Sequence, residues 1–183
     1  MKLSELLLKY HNQKEEEPRQ IGRYYASELY KIIKGEITPE NFFEKKVIDE
    51  RSCKFICEGL AVEDFLTKVF TETGVDFEPQ VKKEIQITDE IVLVAKPDFC
   101  FKTFIAELKR PNEIKEEIPV WWAYQCEAYY RAFYLPVHLW QWYYPCGIKE
   151  LIYVPSKWRW DKIKTTLVQF HNNLKKVEAN KNN

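Results

Sequence analysis

At 183 residues, with 45% hydrophobic and 15% aromatic side chains, the chain is sized for one domain that buries roughly 70% of the surface its unfolded form exposes. Its 28 basic and 28 acidic residues cancel, which excludes a general attraction to polyanions and requires any nucleic-acid contact to come from a local basic surface. Five irregularly spaced cysteines do not make a secreted disulfide framework, and the most apolar stretch, VWWAYQCEAYYRAFYLPVHLWQWYY, is interrupted by Glu127, Arg131 and Pro136 and does not qualify as a membrane span.

Residues 1–22 read as an accessory segment: the start lacks the apolar core of a signal peptide, and HNQKEEEPRQ is a charged, uncapped run. Ser27 is an N-cap candidate for ELYKIIK, which stops at Gly35, and Thr38-Pro39 has the form of a cap followed by proline at the first helical position. A third helix is expected over about Phe55–Thr73, ending at Gly74. The apolar period then changes to two. VKKEIQI and EIVLVAKPDFCF read as strands joined at Thr88-Asp89, with TFIAELKR as a third. Pro119 opens the helix VWWAYQCEAYYRAF, Pro136 closes it, VHLWQWYY and ELIYV are strands, and Ser156 caps a final helix within 156–183 whose polar tail is expected to fray. The order predicts an α/β fold, a mixed β-sheet flanked by helices.

Within this frame, KPDFCFKTFIAELKRP places charges where apolar residues would fold better. If its two strands pair antiparallel around Lys102-Thr103, Phe101 opposes Phe104, Phe99 opposes Ala106, Asp98 opposes Glu107 and Lys96 opposes Lys109. Like charges directly opposite destabilise a sheet, and a cation between the two carboxylates would remove one conflict. Glu107 and Lys109 share a strand face whatever the loop length. On the third helix, at about 100° per residue, Val69, Val62, Leu66, Phe70, Ile56 and Leu60 form an apolar arc, and Glu63 falls inside it. A carboxylate on a buried face is costly unless it is paired or binds metal, so Glu63 is a third acid for the same point.

At these residues the sequence resembles the RecB-like branch of the PD-(D/E)XK nuclease superfamily, which includes CRISPR-associated exonucleases. The matching elements stand in family order: Gly59 to Glu63 on a helix, Pro97-Asp98 at a strand end, Glu107-Leu108-Lys109 on the next strand, and Gln125 to Tyr129 as a Q-x-x-x-Y element on the following helix. The resemblance implies a restriction-endonuclease-like core over about residues 55–145, and the cysteine pattern and N-terminal sequence make a reducing intracellular, cytoplasmic setting the expectation. The resemblance also implies that Asp98, Glu107, the Leu108 carbonyl and Glu63 hold Mg²⁺ or Mn²⁺, and that Lys109 orients the attacking hydroxide or neutralises the transition state. Gln125 and Tyr129 would contact DNA or brace the site. Many relatives carry a [4Fe-4S] cluster, held by one upstream cysteine and three grouped downstream of Q-x-x-x-Y. Here Cys146 alone lies downstream, so no such cluster is expected. Cys53 and Cys57, at i and i+4, are half a metal site, and free buried thiols are the reading adopted for all five cysteines.

His11, His138 and His171 are scattered, and no glycine-rich phosphate loop or nucleophile motif is present. Arg23 and Tyr24 are further candidates for contacting DNA, as is KWRWDKIK, where tryptophan is mixed with basic residues. The expected partner is DNA, as ends, single strands or junctions, with no membrane; a homo-oligomer is neither required nor excluded. The reading is a metal-dependent deoxyribonuclease, an exonuclease by preference, with a structure-specific endonuclease or a non-catalytic DNA-binding subunit as the alternatives.

Overall fold

The computed structural model describes residues 3–13, 18–45, 47–143 and 147–181. In chain order these form α1 (Leu3–Gln13), β1 (Arg23–Tyr25), α2 (Leu29–Lys34), α3 (Glu50–Glu72), β2 (Phe77–Pro79), β3 (Lys83–Thr88), β4 (Ile91–Ala95), β5 (Phe99–Phe101), β6 (Ile105–Lys109), α4 (Val120–Phe133), β7 (Val137–Tyr143), β8 (Gly147–Ile152) and α5 (Lys157–Lys181). The strands make two mixed sheets, ordered β1-β4-β3 and β2-β5-β6-β7-β8, with helices packed around them.

The long strand expected over residues 90–101 is divided. Pro97 has no N–H to give a ladder, so β4 stops at Ala95 and β5 starts at Phe99 in the other sheet. Past that break the expected hairpin register is found: Phe99 pairs with Ala106 and Cys100 with Ile105, and the Phe101 N–H donates to the Phe104 carbonyl at 2.9 Å. The expected Lys96–Lys109 opposition does not form, because Lys96 precedes β5 and is exposed while Lys109 turns to acidic and amide partners. β6 and β7 are parallel, joined by α4 as a crossover helix, which packs on β3, β4 and β7 and reaches β6 through Gln125.

Several local expectations give way to stronger contacts. Residues Ala26–Glu28 form a 3₁₀ turn, and α2 starts at Leu29 with Glu28, not Ser27, at its cap position. No helix follows Thr38-Pro39. The Asn41 side chain instead accepts from the Thr38 N–H at 2.8 Å and donates to the Glu36 carbonyl at 3.1 Å, a turn that competes with helix and drops Phe42 into the core. α3 begins earlier than expected because Asp49 caps it, accepting from the Ser52 N–H at 2.7 Å. Its apolar arc is only half covered: Cys53 alone is fully buried, and Leu60 is exposed. At the C-terminus, burial of Ile163, Leu167, Phe170 and Leu174 carries α5 through the tail expected to fray, as far as Lys181.

The short strand β1, unsuspected from three residues, docks parallel to β4 through Gly22, whose carbonyl accepts from the Val92 N–H at 2.7 Å. Gly22 has φ +85°, and a Cβ there would meet the Glu90 carbonyl oxygen at 2.3 Å, so only glycine permits the approach. β1 also places one of its two candidate DNA contacts, Tyr24, in the core, out of reach of DNA. Tyr24 is fully buried, edge-on to Phe42 and Phe170 and hydrogen-bonded to His171 Nδ1 at 3.0 Å, and Arg23 is ion-paired to Glu84 at 2.5 Å. In KWRWDKIK, Trp158 is exposed, but Arg159 caps the Tyr153 ring and hydroxyl, and Trp160 receives Arg131 over its face at 5.7 Å.

One buried acid ties the crossover helix to the C-terminal elements. Glu127, with 0% exposure, accepts from Arg131 Nε at 2.9 Å, from the Ser156 N–H at 2.8 Å and from the Tyr153 hydroxyl, with the Arg159 guanidinium at 3.9 Å. Burial and the neighbouring carboxylate hold the Tyr153 phenol well above its ordinary range, so it stays a donor. Glu127→Ala strands these donors without partners and is expected to cost about 3–5 kcal/mol. Urea unfolding with an unchanged slope should show this as a lower midpoint; a loss below about 1 kcal/mol would mean the network relaxes without it.

Candidate active site

Four elements converge where the two sheets part. Asp98 stands in the Pro97 break, and its Oδ2 accepts from the Leu108 N–H at 2.7 Å, which places it beside the middle of β6. Glu107, 5% exposed on β6, accepts at Oε1 from Lys109 Nζ at 2.7 Å and from Gln125 Nε2 at 2.8 Å. Lys109 also donates to Gln125 Oε1 at 2.9 Å, so acid, ammonium and amide close a ring across β6 and α4. One helical turn on, the Tyr129 hydroxyl accepts from Gln125 Nε2 at 2.6 Å and donates to the Lys96 carbonyl at 3.1 Å, bracing the backbone just before the break.

Glu63 enters from α3, through a residue the sequence did not suggest. The Gln80 amide donates to Glu63 Oε1 and lies 3.4 Å from Asp98 Oδ1, while its backbone N–H donates to the Asp98 carbonyl at 3.0 Å. Gln80 has φ +56°, an uncommon conformation for a residue other than glycine, taken at the end of β2. Nothing in a lone Gln after Glu78-Pro79 signals this; the only sequence cue is the turn-forming proline before it. Glu63 and Asp98 are linked through the Gln80 amide, and Asp98 is linked to β6 through the Leu108 N–H. Glu63, Asp98, Glu107, Lys109, Gln125 and Tyr129 are thus brought together, with Leu108 supplying its N–H. Arg23 and Tyr24 belong to the other sheet and are not part of the site.

The electrostatics are those of acids short of positive charge. Burial, then the Glu107 carboxylate, pushes the Asp98 carboxyl up to about 8 from an ordinary 3.8, against the Leu108 N–H and Lys109. Glu63 is also raised, by burial and by Glu107, with Gln80 and Lys96 opposing. Burial pulls the Lys109 ammonium down, but Glu107 and Asp98 outweigh it and hold the group above its ordinary value, fully charged. Tyr129 is driven well above the ordinary phenol range by burial and the same acids, and Cys126 is pushed up to about 12, a neutral thiol behind the site. One atom is conspicuous: Glu107 Oε2 is buried with no hydrogen-bond partner. An orphan buried carboxylate oxygen costs free energy until a donor or a cation meets it, and hard oxygens of this kind suit Mg²⁺ or Mn²⁺. The residues present therefore fit such an ion.

The cysteines resolve into free thiols at Cys53, Cys57, Cys100 and Cys126, and Cys146 lies outside the described residues. Among the described residues no helix is long and apolar enough to cross a membrane.

No protein-family model and no curated protein matches the sequence. Solved structures do match in three dimensions. The protein SSO0001 aligns with a TM-score of 0.65 at 16% identity over 97% of this chain and 87% of that one. The alkaline exonuclease LHK-Exo from Laribacter hongkongensis aligns at 0.62 and 13% identity, over 97% and 96%. A phage-related exonuclease from Haemophilus somnus 129PT aligns at 0.61 and 12%, over 86% and 96%. The chain shares the restriction-endonuclease-like α/β fold of these structures, mixed sheets flanked by helices.

The raised Asp98 carboxyl has a consequence for stability. Between pH 4 and 8 the ion-free native protein holds a proton that the unfolded chain has released, so this group's contribution to stability falls as pH rises through that window. Asp98→Asn is therefore expected to unfold at a higher temperature than the wild type at pH 8 in chelator, with the difference shrinking towards pH 4. Thermal melts of both proteins across that range check it, and a difference that does not vary with pH would refute the assignment.

Proposed function

We propose that this protein is a divalent-metal-dependent deoxyribonuclease that removes nucleotides from DNA ends or single strands. The observation that carries the reading is the constellation of Glu107, with its unpartnered buried oxygen, beside Asp98 and an enclosed, charged Lys109 at the mouth of the Pro97 break. Two of the matching folds are described as exonucleases, and LHK-Exo has also been solved in complex with dAMP, which supports the choice of a DNA substrate.

Asp98 and Glu107 would hold Mg²⁺ or Mn²⁺, with Glu63 completing the set from α3. In an extended strand the N–H and carbonyl of one residue point to the same edge, so the Leu108 carbonyl, on the edge whose N–H reaches Asp98, would be a further oxygen ligand. Such an ion acidifies water and offsets charge on the phosphate oxygens. The chain's own groups do the positioning. Lys109 Nζ, held between Glu107 and Gln125, points its remaining proton at the attacking water or at a phosphate oxygen, where charge develops as the water oxygen bonds to phosphorus and the P–O bond to the leaving group breaks. Gln125 fixes Glu107 and Lys109 together, and Tyr129 fixes Gln125.

Beside Leu108, an apolar hollow of about 300 Å³ is lined by Leu66, Phe70, Trp140 and Trp142, with the exposed ring of Phe65 against Trp142 at its edge. These walls stand on the face of β6 opposite the Glu107 and Lys109 side chains, and would suit the bases of a single strand passing the strand edge, where stacking contributes about 1–3 kcal/mol per base.

End-labelled linear DNA and covalently closed circles, each incubated with Mg²⁺, Mn²⁺ or EDTA, separate the outcomes. Loss of nucleotides from linear DNA alone, and only with metal, is expected; nicked circles would mark an endonuclease, and binding without hydrolysis an inert DNA-binding subunit. Lys109→Ala and Glu107→Gln are each expected to reduce hydrolysis by on the order of a hundredfold or more while circular dichroism stays native. Wild-type rates in either variant would overturn the mechanism.

A further inference from the structure

Away from the acids, three soft ligands from two helices meet on the far half of α3. Cys53 and Cys57 are one turn apart on the same helix face, and α1 brings His11 against them. One ligand atom from each residue lies within 4.8 Å of the other two, and His11 Nε2 is 3.5 Å from Cys57 Sγ. That last spacing has a meaning in coordination chemistry. With Zn–S near 2.3 Å and Zn–N near 2.0–2.1 Å, the sulfur-to-nitrogen edge of a zinc tetrahedron is about 3.6 Å. A thiol and an imidazole in simple contact would not need a second thiol within the same small volume. We propose that His11, Cys53 and Cys57 bind one zinc-class transition-metal ion, which fastens α1 to α3.

The chemistry of the set chooses the ion. Two thiolates and an imidazole favour Zn²⁺ over Mg²⁺, which takes hard oxygens, so this site and the carboxylate site select different metals. Binding converts both thiols to thiolates and releases their protons to solvent. Cys53 and Cys57 also border a cavity of about 800 Å³, lined too by Glu50, Arg51 and Lys54, so a water can take the fourth position. α1 has reason to need such a fastening. It is an 11-residue helix, a length marginal in isolation, and it is otherwise tied down by Asn12, whose amide exchanges hydrogen bonds with the Ile48 backbone at 3.0 and 2.8 Å. Glu63 lies six residues beyond Cys57 on the helix that would be fastened.

The full-length protein, stripped with chelator and reduced, would be titrated with Co²⁺ under anaerobic conditions and then with Zn²⁺. Expected are the intense visible bands of tetrahedral Co²⁺ with a near-ultraviolet thiolate-to-cobalt charge-transfer band, saturating at a single equivalent and bleached by a single equivalent of Zn²⁺. Cys57→Ser and His11→Ala should lose the charge-transfer band or weaken binding by on the order of a hundredfold, with native circular dichroism. Glu107→Gln, which alters only the oxygen-ligand site, should keep it. Hydrogen exchange across α1 should slow when Zn²⁺ is added to the wild type and not to Cys57→Ser. A weak octahedral spectrum without charge transfer, a band that forms in Cys57→Ser with undiminished intensity and affinity, or one lost in Glu107→Gln would overturn the proposal, as would a Cys53–Cys57 disulfide in the protein as purified. None of these readouts depends on DNA cleavage, so the result stands or falls independently of the nuclease reading.

Discussion

Everything at the site depends on one missing hydrogen-bond donor. Pro97 cannot continue a ladder, so the chain leaves the first sheet after Ala95 and joins the second at Phe99. In the gap between, Asp98 is released from sheet pairing and takes the Leu108 N–H as its partner, which sets it beside Glu107 on the neighbouring strand. The Lys96 carbonyl, freed at the same place, becomes the acceptor for Tyr129. Without the interruption a continuous strand would present these residues on alternating faces, and the acid, the amide and the ammonium would not meet.

A second constraint follows from the β6–α4–β7 crossover. A parallel connection needs a helix laid back across the sheet, and here that helix contributes Gln125 and Tyr129 to one end of the site and Glu127 to a buried network facing the opposite way. The two roles are compatible because Gln125 and Glu127, two residues apart, lie on different sides of α4. The same rigid element is therefore anchored by Tyr153, Ser156 and Arg159 on one side while it fixes Glu107 and Lys109 on the other.

Much of this architecture is legible in the order of the amino acids. Strong periodicity marks the helix and strand order, the charges in KPDFCFKTFIAELKRP single out Asp98, Glu107 and Lys109, and the hairpin register follows from where two phenylalanines must meet. The losses have physical causes. A three-residue strand such as β1 has no period to detect, and a tyrosine beside an arginine reads as a surface group until packing against Phe42 and Phe170 buries it. Thr38-Pro39 carries the letters of a helix start, yet Asn41 offers the backbone a better partner three residues on. Gln80 is invisible in the sequence because its role arises from a left-handed backbone and from two acids distant along the chain. His11 is likewise silent alone; it acquires meaning once α1 is folded onto α3.

Glu63 and its helix differ in footing from the rest. Asp98, Glu107 and Lys109 rise from strands paired on a core of fully buried side chains, whereas α3 commits a single residue, Cys53, to full burial along its whole length. The cleft thus has one stiff jaw and one compliant jaw. With fewer buried contacts than the strands, and held to the sheet chiefly through the Phe70 ring against Phe77, Phe99, Phe101 and Trp140, α3 is the half with the lower local stability.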